Sequence, residues 1–518
     1  MAKKLWEPTP DRIKQTQMYK FMTKVNNEFG HSFSSYPELY DWSVQNIPEF
    51  WATLWDFLDI QATQPYTQVI DDVTKMPGAK WFSGAKLNFA QNLLRYRDDQ
   101  TAIIFQSEGS DPVYISYAQL YQRVAQLAQA LKDLGVQPED RVVGFMPNMP
   151  ETVIAMLAAT SLGAIWSSCS PDFGIKGVLD RFGQIQPKVL VTADGYVFKG
   201  KEMDRLERVA GIMHELPSVQ KVVVVPFLQD APDISSIPNS VLYQDFIDPQ
   251  ATDIQFTQLP FDHPLYIMYS SGTTGLPKCM VQSAGGVLLQ HMKEHVLHTD
   301  ITREDVLFYF TTCGWMMWNW LVSGLASGCT IVLYDGQPFS PDPGVLWQMA
   351  QDTRMTAFGT SAGYLTALEK TGLRPGESYD LSPLHILMST GSPLPTEGFD
   401  FVYQAIKSDL QLASISGGTD LNGCFFLGNP IGPVYAGELQ CRGLGMKVEA
   451  YDPDGNPVYN TKGELVCTAP FPSMPLYFWD DPDGKKYHDA YFDIYPGVWR
   501  HGDFIEINDR GGVIIYGR

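Results

Sequence analysis

The stretch Tyr269–Lys278, YSSGTTGLPK, sets two serines, two threonines, two glycines and a lysine between two apolar runs. That composition suits an anion. Gly272 and Gly275 allow backbone conformations in which successive N–H groups turn inward as a nest. Ser270, Ser271, Thr273 and Thr274 add hydroxyl donors, and Lys278 adds a positive charge. A P-loop, G-x-x-x-x-G-K-[ST], would open directly into a helix. Gly272 and Lys278 have the P-loop separation, but Pro277 replaces its second glycine and Cys279 its Mg²⁺-binding hydroxyl. The following CMVQ reads as a strand, with a helix starting near Gly285, so this loop joins two strands. Taken alone it supports phosphate binding and an ordinary Gly/Ser/Thr turn equally.

The elements that must position such a loop are of the α/β kind. From about residue 100 apolar strands alternate with amphipathic helices: TAIIFQSE, then SYAQLYQRVAQLAQALKDLGV with a serine cap and Gly135 at its end, then DRVVGFMPN. Short joints and β-α-β order predict parallel-rich sheets covered by helices. Ligands in such sheets bind at the C-terminal ends of strands. Four polar tips follow apolar strands, SSGTTG, GTSAG, STGSP and SGGTD, and are expected to converge on one crevice. The first 95 residues read as mostly helical, with Trp42, Phe50, Trp51, Trp55 and Phe57 at core spacing and WFSGAKLNFAQNLL as a loop feeding a short helix. After about residue 430, alternating residues between D-G and K-G turns predict a small antiparallel β unit. The expected units are therefore 1–95, 96–430 and 431–518.

Bulk composition narrows the partners. The chain has 518 residues, 44% of them hydrophobic, and a net charge of −21 with no long basic run, which argues against nucleic acid. No apolar run reaches the roughly 18 residues of a membrane span, and no signal-like leader is read. Seven scattered cysteines without a C-x-x-C pair argue against disulfides or zinc and fit a reducing cytoplasm. His291, His295 and His298 share a helical face, but the H-E-x-x-H form is absent, so helix packing is expected.

Taken together, YSSGTTGLPK, SGGTD (416–420), WRHGD (499–503), the terminal YGR (516–518) and STGSP (389–393) resemble, in order, the motifs of the acyl-adenylate-forming superfamily. WSVQNIPEFW and WFSGAKLNFAQNLL are similar to its acetyl-CoA synthetase-like branch, and FTTCGWMMWNWLVSGLASGCTIVLYDG to the acetoacetate-activating members. The resemblance covers essentially the whole chain. It implies an α/β fold with two parallel-rich sheets plus the small antiparallel unit. It also implies an acid–thiol ligase: a carboxylate attacks the α-phosphate of MgATP, giving acyl-AMP and pyrophosphate, and the thiol of CoA then displaces AMP. The implied substrates are acetoacetate, ATP and CoA, with Mg²⁺. Another short acid such as propionate or butyrate is the alternative, as is a nucleotide-binding module without full turnover.

Carried over by position, Ser270, Ser271, Gly272, Thr273, Thr274, Gly275 and Lys278 would hold the β- and γ-phosphates. Gly391, Ser392 and Pro393 would line the adenine. Thr419, beside Gly417 and Gly418, would reach the α-phosphate, and Asp420 would bind Mg²⁺, although the family usually has a longer glutamate there. Asp503 would accept the ribose hydroxyls with Arg518 beside it, while His501 replaces a threonine and receives no role. Gly417 stands where acetate-using relatives have a tryptophan, so its missing side chain is expected to lengthen the acyl pocket, which Met316, Met317 and Thr390 would also line. Asn319 or Ser416 would contact a keto oxygen. Lys199 and Lys201 would face the 3′-phosphate of CoA. Family members continue past the Gly-Arg hinge into a lid that carries a further lysine. Without that lid the expectation is retained ATP binding, weak adenylation and weaker thioester formation.

Overall fold

The computed structural model describes residues 2–270 and 275–518. Ser271, Gly272, Thr273 and Thr274 lie outside the described residues. Two large sheets organise the chain. The first has eight strands in the order Ser240–Leu242, Lys221–Val225, Val189–Ala193, Arg141–Phe145, Ile165–Cys169, Pro264–Ser270, Lys278–Ser283 and Tyr477–Phe478. Pairing is parallel from Ser240–Leu242 to Pro264–Ser270, and antiparallel in the last two steps. The second has seven strands in the order Gln411–Ser414, Ile386–Thr390, Ala357–Ser361, Val306–Tyr309, Thr330–Asp335, Thr101–Ser107 and Val113–Ser116, parallel except at the final pair. The chain thus begins the second sheet, builds the first, and returns.

Local sequence explains why these pieces form. VLVTA and KVVVV are buried along nearly their whole length, as expected for parallel strands covered on both faces. Helix Tyr117–Asp133 starts in a capping box: Ser116 Oγ accepts from Gln119 N–H, and the Gln119 side chain returns to Ser116 N–H. Helix Pro150–Ser161 is apolar on every side and is buried except at Glu151, so it runs inside the molecule.

Helices are the commonest element of the first 95 residues, covering nearly half of them, with Trp42, Phe50, Trp51 and Trp55 in the core and Phe57 partly buried against it. The stretch WFSGAKLNFAQNLL differs from expectation: it forms two short strands, Trp81–Ser83 and Lys86–Leu87, before helix Phe89–Leu93. These strands find partners far away or in a preceding strand, Leu87 opposite Leu259 and Trp81 opposite Ile70 of strand Gln68–Ile70, which no local pattern signals. The C-terminal region is antiparallel: Val448–Tyr451, Gly463–Cys467, Trp499–Ile507 and Val513–Gly517 form one four-stranded sheet. No described helix is long and apolar enough to cross a membrane.

Candidate active site

The C-terminal ends of the neighbouring parallel strands Ile386–Thr390 and Gln411–Ser414 open on a crevice of about 380 Å³. Beyond Ser414 the chain forms strand Ser416–Gly418, which folds back on Gly423–Leu427 with Gly417 opposite Cys424. Helix Met316–Ser323 supplies one wall and the C-terminal strands another, so the crevice is assembled from four separate parts of the sequence.

Eleven of the expected residues line it: Met316, Met317, Thr390, Gly391, Ser392, Pro393, Gly417, Gly418, Thr419, Asp503 and Arg518. Gly391 has φ +92°, a conformation that favours glycine, and turns the chain across the crevice mouth. Thr390 is fixed by its hydroxyl, which donates to the Ile415 carbonyl at 2.8 Å. Asp503 is flanked by Arg518 Nε at 3.2 Å and His501 Nε2 at 3.6 Å. Ser416 lines the crevice, whereas Asn319 is buried elsewhere in its helix and does not.

Two expectations are corrected, for GTSAG and for Gly417. The tip GTSAG does not reach the crevice: Ser361 Oγ accepts the Tyr364 N–H and caps helix Ala362–Lys370. Gly417 lines the pocket, but its lack of a side chain does not lengthen it. A Cβ there would be driven into the Gly423 carbonyl oxygen and Cys424 Cα, so glycine is required by close pairing with the next strand. Lys199 and Lys201 do not line the crevice. They sit at the turn between strands Gly195–Phe198 and Lys201–Asp204, where buried Glu108 accepts the Lys199 and Gly200 N–H groups at 3.1 and 2.6 Å. Their amino groups are exposed. Asp420 and Lys278 also stand outside the lining, Asp420 behind Gly418 and Lys278 at the start of its strand opposite Ser270.

The three histidines are packing groups. Each is buried and bonded: His291 to Ser323 Oγ and the Asn422 carbonyl, His295 to the Trp320 carbonyl, and His298 to the Gly428 carbonyl. Burial holds their pKa values at about 4, about 3 and about 3, so they are neutral. Among the described residues no group of three or more His, Cys, Asp or Glu side chains could hold a metal.

Other residues complete the site without a sequence signal. Gln282 Nε2 donates to the Thr419 and Asp420 carbonyls at 3.2 and 2.8 Å, tying the strand after the phosphate loop to the Thr-Asp segment. Tyr491 OH donates to Asp420 Oδ1. Burial, then the charge of Asp420, raises the Tyr491 pKa well above its usual value, so it remains a donor. Trp499 Nε1 approaches His501 Nδ1 at 3.4 Å, which leaves the ring proton on Nε2, facing the Gly417 carbonyl at 3.3 Å. Pairs such as 282–419 and 491–420 are distant in sequence and have no periodicity to reveal them.

The family model described as AMP-binding enzyme matches residues 89–478, and that for the acetyl-coenzyme A synthetase N-terminus matches residues 36–93. The chain is 48% identical to an acetoacetyl-CoA synthetase of Danio rerio, over 100% of this chain and 78% of the relative. It is 49% identical to an acetoacetyl-coenzyme A synthetase of Rhizobium meliloti (strain 1021), over 99% of this chain and 79% of the relative. The solved acetoacetyl-CoA synthetase from Streptomyces lividans superposes with a TM-score of 0.96 at 45% identity, covering 100% of this chain and 80% of that one. The chain belongs to the AMP-binding enzyme family and carries an N-terminal segment of the acetyl-coenzyme A synthetase type.

Proposed function

We propose that this protein is an ATP-dependent acyl-CoA synthetase that activates acetoacetate to acetoacetyl-AMP and pyrophosphate, then transfers the acyl group to CoA with release of AMP. The observation that carries this reading is one crevice with two chemically different ends. The glycine turn at Gly391 and the Asp503–Arg518 pair suit a nucleoside, whereas Met316, Met317 and Cys424 form an apolar recess for a short acyl chain.

In the first step the acid's carboxylate oxygen forms a bond to the α-phosphorus, the α–β bridging bond breaks, and pyrophosphate takes the electron pair. No protein nucleophile is needed. The work is alignment of the reactants and stabilisation of developing charge on phosphate oxygens. Asp503 would accept both ribose hydroxyls, and Gly391–Pro393 would hold the adenine. Those anchors would put the α-phosphate beside Thr419, whose hydroxyl would donate to a non-bridging oxygen. Lys278, with Ser270 and Gly275, would meet the departing pyrophosphate.

A magnesium ion fits the donor set. Mg²⁺ favours one or two carboxylates supplemented by phosphate oxygens and waters, and Asp420 offers one carboxylate while no all-protein cage exists among the described residues. When bound, the ion would neutralise phosphate charge. Lys199 and Lys201 offer exposed cations to the 3′-phosphate of CoA from a turn anchored by Glu108. The seven cysteines are all free and buried, which supports a cytoplasmic, reducing location. We read residues 1–95, 96–430 and 431–518 as three units serving this one site.

The test is acid-dependent exchange of labelled pyrophosphate into ATP by the full-length protein. Exchange with acetoacetate exceeding that with acetate, propionate and butyrate is the expected result. Equal exchange with all four overturns the choice of acid. Phosphate release without any acid overturns the ligase reading itself.

A further inference from the structure

Asp420 is one methylene shorter than the glutamate expected at its position, yet the structure does not leave it loose. Its backbone carbonyl accepts from Gln282 at 2.8 Å, and its Oδ1 accepts from the Tyr491 hydroxyl. The second oxygen, Oδ2, faces Gly418, where a Cβ would lie 3.2 Å from it and 3.0 Å from His501 Cε1. Gly418 lines the crevice. Absence of a side chain at Gly418 therefore opens the wall at the point where Asp420 Oδ2 stands.

Tyr491 is itself held firmly. It is the last residue of helix Lys485–Tyr491, is 4% exposed, and stacks on Trp499 with centroids 3.8 Å apart and planes 12° apart. Phe478 meets its ring edge-on at 5.8 Å. Among the described residues its hydroxyl has Asp420 as its oxygen partner and otherwise only Met280 Sδ at 3.7 Å. Tyr491 does not line the crevice: its hydroxyl acts on it through Asp420, and its ring through Trp499 and His501. A cation stands beside the tether: Lys278 Nζ is 5.9 Å from the Tyr491 ring centroid.

We propose that Tyr491 is a positioning residue that fixes the Asp420 carboxylate, so that Oδ2 is presented through the Gly418 gap to the divalent cation carried by the nucleotide. The tether compensates for the short side chain: the phenol spends one oxygen to orient the other. This inference rests on the reading of Asp420 as the magnesium ligand.

The experiment compares ATP affinity with saturating Mg²⁺ and in EDTA, giving a metal enhancement for each full-chain variant, alongside thermal melting of the free protein. Tyr491→Phe keeps the stacked ring and removes only the hydroxyl. The expected result is an unchanged melting temperature, an unchanged affinity in EDTA, and an enhancement reduced about tenfold, the scale of one hydrogen bond to a charged group. Adding Asp420→Glu to Tyr491→Phe should restore most of the enhancement, because the longer side chain needs no tether. Asp420→Ala should abolish it. An enhancement that survives Asp420→Ala overturns the metal reading and this inference with it. If Asp420→Ala abolishes the enhancement but Tyr491→Phe leaves it intact, the metal reading stands and the tether is overturned. A parallel loss of melting temperature and EDTA affinity in Tyr491→Phe, or no rescue by the added glutamate, would show a merely structural tyrosine.

Discussion

On one side of the crevice Gly391 adopts φ +92°, and among the described residues only Ser361 Cβ lies within 4 Å of where its side chain would begin. On the other side Gly417 lies in a strand, and a Cβ there would strike the Gly423 carbonyl and Cys424 Cα. Gly391, proposed to line the adenine, needs glycine for its backbone angle and has space around it. Gly417, proposed to line the acyl chain, needs glycine for lack of space and has no unusual angle. Two motifs of similar composition, STGSP and SGGTD, thus obey different constraints, and their tolerance to substitution should differ accordingly.

Replacing Gly417 by Ala should be the most damaging change. The obstructing atoms are backbone and cannot rotate away, so the two strands must separate. The expected cost is at least about 3 kcal/mol of stability, with loss of binding to a non-hydrolysable acyl-adenylate analogue. Denaturant melts and calorimetric titration measure the two effects. A well-folded Gly417→Ala protein that binds the analogue normally would erase the contrast between the two sides. Tryptophan at this position would unfold the hairpin and says nothing about acyl length.

That difference also marks what the sequence made legible. The strands, most helices and the order of motifs were readable, because periodic burial and Gly/Ser/Thr tips at strand ends are local signals. Ser416, Gly417, Thr419, Asp503 and Arg518 could be assigned to one site from the family resemblance. The reason for Gly417 could not, because it depends on the register with Cys424, a tertiary fact. Gln282, Tyr491 and His501 escaped for the same cause: each acts on a partner about 70 to 140 positions away. GTSAG misled because a helix cap and a ligand tip share the same residue types.

The hairpin that carries Gly417 rests on a buried histidine. His291 Nε2 meets the Asn422 carbonyl in the turn that joins the Gly417 and Cys424 strands. Burial lowers its folded pKa from the ordinary imidazole value of 6.5 to about 4. The unfolded chain therefore binds the proton first, and stability conferred by neutral His291 is complete above pH 6.5 and lost as pH falls toward 4. Other buried groups titrate in the same window, so the difference between wild type and His291→Gln isolates the effect. That difference should move in favour of the glutamine variant by about 2 kcal/mol between pH 7 and pH 5. Urea melts at the two pH values measure it, and a pH-independent difference would detach this histidine from the hairpin.

Selectivity should shift by less. Met316 lines the crevice in the part proposed for the acyl chain, and removing its thioether would lengthen the space there. Met316→Ala should change the preference for a six-carbon 3-oxo acid over acetoacetate by about tenfold, as expected for small changes in apolar pockets. Pyrophosphate exchange rates for the two acids give the ratio, and the affinity for ATP alone should not move. A change in ATP affinity instead would place Met316 on the nucleotide side.

The mildest effect is expected at Gly391, and there two causes can be separated. A Cβ at this position meets no rigid neighbour, so the protein's own penalty is the left-handed angle, about 1 kcal/mol for alanine. Asparagine tolerates positive φ better than alanine does. Melting temperatures should therefore fall in the order wild type, Gly391→Asn, Gly391→Ala. Nucleotide affinity should follow the opposite order for the two variants, because asparagine projects more atoms into the space assigned to adenine. Alanine should weaken ATP binding severalfold and asparagine more. If both measurements rank the variants alike, backbone strain accounts for everything and the adenine does not lie against Gly391. If asparagine is the weaker binder but the better folder, the open glycine is open for the nucleotide, whereas Gly417 is closed by its own strand.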